Sequence, residues 1–122
     1  MTLHEDIFTL IQSVESNAYA TEPPQEPTFP LVVFDVDVQP ERGWVFGADY
    51  AQYLVTVYLF NTNKAALMTK AQAMRTAFNA HTSFLHEEES GDAQFEEWPN
   101  VFSYFMNFRL RGQKKKKKRL MF

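Results

Sequence analysis

Two stretches of the chain place apolar residues at the three- and four-residue spacing of an amphipathic helix. The first stripe is Leu3, Ile7, Leu10, Ile11 and Val14, and the second is Leu67, Ala71, Met74 and Phe78. They predict helices over 3–14 and 65–80. A capping box, Thr2 with Glu5, precedes the first helix, and Asn61, Thr62 and Asn63 supply candidate caps for the second.

Three other stretches alternate in the two-residue period of a β-strand. Over 31–38 the apolar side chains face away from Asp35 and Asp37, which share the opposite face. The stretch 53–60 is apolar on both faces, which favours a central strand covered on each side. The stretch 101–110 is a third strand, and Gly112 is predicted to end it.

The segments between these elements are less regular. Three prolines within 21–27 predict a loop, because proline has no N–H to donate and favours extended backbone. The long connection from Val38 to Tyr53 predicts a protruding hairpin or arm. Over 84–97 the pattern weakens, and the run 87–92 is interpreted as an acidic turn or loop between short extended pieces.

This order of elements predicts an α+β fold with a mainly antiparallel sheet and both helices packed on one face. We expect one domain over 1–112, with a protruding hairpin or arm, and a basic, flexible C-terminal tail over 113–122.

Composition narrows the class of protein. Of 122 residues, 45% are apolar and 22% charged, as in globular proteins, and the absence of cysteine excludes disulfides and thiolate metal sites. No apolar run reaches membrane-spanning length, and the first residues carry acids where a signal peptide is basic. We therefore expect a soluble, cytoplasmic domain with no membrane partner.

Charge is divided unevenly along the chain. Residues 1–108 hold all 15 acidic residues and four of the 12 basic ones, whereas residues 109–122 hold eight basic residues and no acid. The basic run is Lys114, Lys115, Lys116, Lys117, Lys118 and Arg119. Such a run attracts an anionic partner, either a nucleic acid or the acidic body of a neighbouring copy.

Catalytic and metal-binding patterns are weak. His81 and His86 lie near three glutamates, but without the spacing of a zinc motif, so a solvated loop is the better interpretation. Asp35 and Asp37 are two carboxylates on one strand face, more often simply a polar face than acid–base or magnesium ligands. With only four glycines and no phosphate-binding loop, we predict no enzyme activity and no cofactor.

Aromatic residues suggest an interface instead. Trp44, Phe46 and Tyr50 lie in the predicted arm. Either they fold back onto the core or they anchor a contact between subunits, where aromatic residues are enriched. We take these three residues, with Asp35 and Asp37, as candidate interface residues, and the lysine run as the anionic-partner contact.

Taken together, the first helix, the proline-rich loop, the strands 31–38 and 53–60, the helix 65–78 and the strand 102–110 resemble the tail terminator (tail completion, or neck) family of long-tailed bacteriophages. The resemblance is one of element order over nearly the whole chain, without a diagnostic residue. Other small phage tail and head-completion proteins share this plan.

The resemblance implies a structural virion protein that forms a homohexameric ring, caps the tail tube and joins it to the head connector, with DNA passing through the lumen. The implied partners are the tail tube protein and a head-completion or connector protein, with a possible non-specific DNA contact. The implied location is the tail or neck of the virion, after assembly in the host cytoplasm. The alternative is a small nucleic-acid-binding module acting through the basic tail.

Overall fold

Two helices and five strands make up the fold in a computed structural model, which describes residues 3–40, 50–93, 98 and 100–113. In chain order the elements are α1 (Leu3–Val14), β1 (Ala18–Ala20), β2 (Leu31–Pro40), β3 (Tyr50–Asn61), α2 (Lys64–Asn79), β4 (Phe84–Ala93) and β5 (Phe102–Gln113). The predicted arm, with Trp44 and Phe46, lies outside the described residues.

The five strands form one sheet in the order β1-β2-β3-β5-β4. β1 pairs with β2 in parallel, and the other three pairs are antiparallel. The prediction of an α+β fold with a mainly antiparallel sheet is therefore confirmed, as is the central position of β3. The short strand β1 is an addition that the sequence pattern did not predict.

Both helices pack on one face of this sheet and share one core with it. Ile7 and Ile11 of α1 are fully buried there, together with Val55 of β3 and Phe108 of β5. The buried residues of α2 are Leu67, Ala71, Met74 and Phe78, which are the four residues of the predicted stripe. The helical spacing therefore identified the buried face of α2 correctly.

The start of α2 is fixed by a side-chain cap. The Asn63 side-chain oxygen accepts a hydrogen bond from the Ala66 backbone N–H at 3.0 Å, which pairs a donor that has no partner within the helix. One of the three predicted caps is thereby confirmed. The capping box predicted for α1 includes Thr2, which lies outside the described residues.

The prediction of an acidic turn or loop over 87–92 is wrong, because these residues belong to β4. This strand forms one edge of the sheet and pairs with β5, with shifts in register between Phe84 and His86 and between Glu87 and Ser90. Arg75 of α2 holds Glu87 through two hydrogen bonds of 2.8 and 3.0 Å. The register shifts and this ion pair allow an acidic run without regular alternation to form an edge strand.

Gly112 does not end β5, contrary to the prediction, since the strand continues to Gln113. Gly112 pairs with Ala51 of β3 and faces Leu3 of α1. A Cβ atom at this position would lie 2.5 Å from Leu3 Cδ2, inside the contact distance of two carbons. The glycine therefore permits close approach of α1 to the sheet instead of breaking the strand.

A second, smaller cluster covers one end of the other sheet face. Its buried members are Leu31, Val33 and Phe60, and the rings of Phe29 and Phe60 both pack edge-on against Trp98, at centroid distances of 5.4 and 5.1 Å. The prediction that β3 is covered on both sides therefore holds at its Phe60 end. Farther along, the described residues cover this second face only in part.

Candidate subunit interface

The sheet face opposite the helices is called the open face here, and polar side chains occupy its middle. The register brings Asp35 of β2 beside Thr56 of β3 and Asn107 of β5. The next row along the same face is Asp37, Leu54 and Arg109. Two-residue alternation places all six side chains on one side of the sheet, away from the helices.

A chain of hydrogen bonds runs across this face from β4 to β2. Arg109 Nε donates to Glu88 Oε2 at 2.6 Å, and Arg109 Nη1 donates to the side-chain oxygens of Gln39 at 3.0 Å and Gln52 at 2.9 Å. Gln39 Nε2 in turn donates to Asp37 Oδ2 at 3.1 Å. Side chains from four strands are thereby fixed in one layer.

The electrostatics of this chain centre on Arg109. Its hydrogen bond lowers the pKa of the exposed Glu88 carboxyl below the usual range, and His86 contributes in the same direction. Glu88 therefore stays ionised, with Arg109 as its partner. The carboxylate of Asp35, one row away, is exposed and has no hydrogen bond or ion pair with any other described residue.

Asp35 and Asp37 thus lie where the sequence predicts, exposed on one strand face. The strand that carries Tyr50 is described, but the Tyr50 side chain is not. Trp44, Phe46 and the run 114–119 lie outside the described residues. An interface role for these residues stays a prediction.

The cations of the described chain are paired with acids of the same molecule. The ion pairs are Lys64 with Asp92, Lys70 with Glu15, Arg75 with Glu87 and Arg109 with Glu88. Arg111 also takes part in an interaction. Carboxylates such as those of Glu22, Glu26 and Asp35 remain exposed on the surface as an acidic surplus.

One ion pair anchors the edge strand β4 to α2 on the helix side of the sheet. Arg75 holds Glu87 and also lies 3.4 Å from the Tyr104 hydroxyl. The hydrogen bonds from Arg75 lower the pKa of Glu87, and those from Ser90 and Arg75 lower the pKa of Tyr104. The hydrogen bond to Glu87 raises the pKa of Arg75 further above its usual value. These three groups stabilise one another and hold β4 in place.

The outer edge of β2 is a feature that the sequence pattern did not predict. The Val32 N–H donates to the Asn17 carbonyl at 3.0 Å, and the Phe34 carbonyl accepts from the Thr21 N–H at 2.7 Å. Even-numbered residues of β2 therefore direct their backbone polar groups toward the β1 side. β1 pairs only as far as Phe34.

Beyond Phe34, no strand among the described residues lies beside β2 on this side. The backbone N–H and C=O groups of Val36 and Val38 point outward there, and the strand ends at Pro40, which has no N–H. This stretch, 35–39, is called the open edge below. Its alternate side chains, Asp35 and Asp37, project onto the open face.

Within residues 3–40, 50–93, 98 and 100–113, no group of three or more His, Cys, Asp or Glu side chains is arranged to hold a metal ion. Among the same residues, neither helix is long and apolar enough to cross a membrane.

No protein-family model matches the sequence, and no curated protein matches it. Its fold is similar to that of a chain in the solved structure described as "Virion of native gene transfer agent (GTA) particle". The TM-score is 0.69, and the alignment covers 93% of this chain and 96% of that chain, at 14% sequence identity. At this identity the likeness concerns the fold.

Proposed function

We propose that this chain is a structural protein of a phage-like virion, and that it acts as a tail terminator in the neck. The observation that carries the proposal is the fold likeness to a chain of a virion particle, which extends over nearly the whole length of both chains. The order of elements in the sequence, which resembles the tail terminator family, supports the finer assignment.

In this role, copies of the chain form a hexameric ring that caps the tail tube and meets the head-completion or connector protein. DNA passes through the lumen of the ring. The acidic surplus of the described surface suits a channel wall that repels the phosphate backbone and lets DNA slide. The described charged side chains with shifted pKa values, such as Arg75 and Glu87, serve in this proposal to hold the sheet together.

A second candidate function is a small nucleic-acid-binding module. The specific observation that favours it is the run of six adjacent cations at 114–119. Such a run binds phosphate backbones without sequence preference, and its affinity falls steeply with salt. The run contains no aromatic residue for stacking on bases, which argues against sequence readout.

Size-exclusion chromatography with light scattering separates the two functions. The virion proposal predicts a discrete species of six times the 14.2 kDa chain mass, ring-shaped by negative-stain electron microscopy. Purified tail tubes are added in a second sample, because capping ends should bind the protein and stop further growth. A chain that stays monomeric in both samples, yet binds random-sequence DNA with strong salt dependence, overturns the virion proposal in favour of the binding module.

A further inference from the structure

We infer that the open edge of β2 binds, as an added strand, the cationic segment 114–119 of a neighbouring copy. This inference rests on the proposed function in one respect, since the contact joins copies of the chain. The inference names the two surfaces that meet, the open edge and the segment 114–119, whereas the ring proposal names neither. Three observations lead to it: an edge backbone that no described strand pairs, the charges beside that backbone, and the distance between the edge and the end of β5.

The backbone of the open edge has the hydrogen-bonding groups that an extended segment needs. Val36 and Val38 each direct an N–H and a C=O outward, with no described strand to receive them. The opposite side of β2 is paired with β3 from Leu31 to Pro40, so the edge is held in an extended conformation and in a fixed register. An exposed strand edge of this kind is a template for strand addition.

The side chains beside the edge decide which segment fits. Asp35 and Asp37 flank Val36, and both carboxylates are exposed. Pairing of this edge with the same edge of another copy would set carboxylates opposite carboxylates, which is unfavourable. A segment with cations at alternate positions is favoured instead, because opposite charges then lie across the strand pair.

One segment of this chain, 114–119, has cations at successive positions. The cations of the described body pair with Glu15, Glu87, Glu88 and Asp92, whereas the run 114–119 supplies a cation in either strand register. The acidic surplus and the basic surplus of the chain therefore lie on different segments. Each is complementary to the other.

The sheet geometry favours a neighbouring copy over the same molecule. β5 ends at Gln113, and β3 and β2 lie between it and the position of an added strand. Three strand spacings amount to about 14 Å, which takes about four residues of extended chain. A tail that folded back on its own molecule would use most of its lysines to cross the sheet.

Contact between a tail and an edge is heterologous, because two different surfaces of the chain meet. Heterologous contacts repeat from copy to copy and close into rings when the rotation between copies allows it. The inferred contact is therefore of the type that a ring requires. Self-pairing of the edge would instead give a closed dimer.

Amide hydrogen exchange on the full-length protein, read residue by residue, tests the contact. The probe is the assembled species compared with a dilute monomeric sample. We expect the Val36 and Val38 amides to exchange at least about tenfold more slowly in the assembly. The Asp35 and Asp37 amides, which face β3 in both samples, should change much less. Equal exchange of Val36 and Val38 in the two samples overturns the inference.

Matched full-length variants separate backbone pairing from simple charge attraction. Val38→Pro removes one outward N–H and leaves the charge unchanged, and Asp35→Asn with Asp37→Asn removes the flanking charges. Each should weaken self-association about tenfold or more. Glu22→Gln with Glu26→Gln removes the same charge from an exposed loop and should change it less than about twofold. An equal effect of this control overturns the inference.

A separate peptide with the sequence of the basic tail tests binding to the open edge without requiring a ring to form. A labelled peptide spanning residues 113–122 is added to a full-length variant in which the five lysines 114–118 are glutamine. Binding that Val38→Pro weakens about tenfold supports the inference even if no ring forms. A ring whose Val36 and Val38 amides stay unprotected contradicts the inference while the proposed function stands. Peptide binding that is indifferent to Val38→Pro also contradicts it.

Discussion

The packing of α2 on the sheet gives a stability prediction whose size follows from the structure. Phe78 of α2 stacks on Phe108 of β5, with ring centroids 4.2 Å apart and planes inclined by 7°, and both rings are fully buried. The substitution Phe78→Ala removes one ring of this pair. It leaves a space that the surrounding strands fill only in part.

The expected loss is worked out from three contributions. Burial of a phenylalanine side chain stabilises the fold by about 1.5–3 kcal/mol, and an aromatic pair adds about 0.5–1.5 kcal/mol beyond area. The remaining cavity adds to the cost, and Phe→Ala substitutions in cores cost about 3–5 kcal/mol in total. We expect about 4 kcal/mol for Phe78→Ala. Helix propensity opposes this loss, because alanine is the better helix former.

The assay is urea unfolding followed by far-UV circular dichroism, with the slope of the transition compared between variants. Phe78→Leu keeps most of the volume and loses the ring stacking, so it should cost about 1–2 kcal/mol. Met68→Ala, at a 38% exposed position of the same helix, should cost less than about 0.5 kcal/mol. A loss below about 1.5 kcal/mol for Phe78→Ala, or an equal loss for Met68→Ala, would refute the packing described here.

Three further predictions use the same unfolding assay. Glu87→Gln removes the hydrogen-bonded partner of Arg75 and should cost about 1 kcal/mol at pH 7. Because the pKa of Glu87 is lowered in the fold, this cost should shrink as the pH falls below the usual 4.5. Gly112→Ala makes the end of the flexible Leu3 side chain rotate away and should cost about 0.5–1 kcal/mol. Asn63→Ala removes the cap of α2 and should cost about 1 kcal/mol.

Each of these variants has a control in the same region. Glu89→Gln changes the same charge at an exposed position of β4 and should cost less than about 0.5 kcal/mol at pH 7. Gly91→Ala introduces a Cβ 3.6 Å from Phe105, an ordinary contact, and should be nearly neutral. Thr62→Ala, next to the cap, should also be nearly neutral. If these controls cost as much as the variants they match, the contacts assigned above are wrong.

The elements with a strict period could be predicted from the sequence. The stripe from Leu67 to Phe78 identified the buried side of α2, and the alternation of Asp35 and Asp37 identified the exposed side of β2. In both cases the period of the side chains matches the period of the backbone, so the pattern and the burial coincide.

The elements that depend on tertiary contacts could not be predicted. β4 contains three consecutive glutamates and two register shifts, so its pairing with β5 leaves no simple alternation. β1 has only three residues, Ala18–Ala20, and is fixed by its position beside β2. Gly112 resembles a strand breaker in sequence, and only the position of Leu3 shows why a glycine is tolerated inside β5.

The candidate interface also has one part that could be predicted from the sequence and one part that could not. The exposed carboxylates were identified from sequence because charge and alternation are visible there. The open edge was not, because Val36 and Val38 resemble ordinary core positions of a strand. Their outward-facing backbone becomes apparent only when the three residues of β1 are seen to cover less than half of β2. The sequence of β2 gives no sign that its neighbour β1 is too short to pair with all of it.

The order of strands in the sheet has a consequence for synthesis of the protein. β5 is the last of the described strands to be translated, yet it lies between β3 and β4. Until its residues leave the ribosome, β3 lacks one neighbour and β4 has no strand beside it among the described elements. Between the translation of β3 and that of β5 the nascent chain therefore exposes one edge of an apolar strand, and the sheet closes late, a situation in which chaperones protect growing polypeptides.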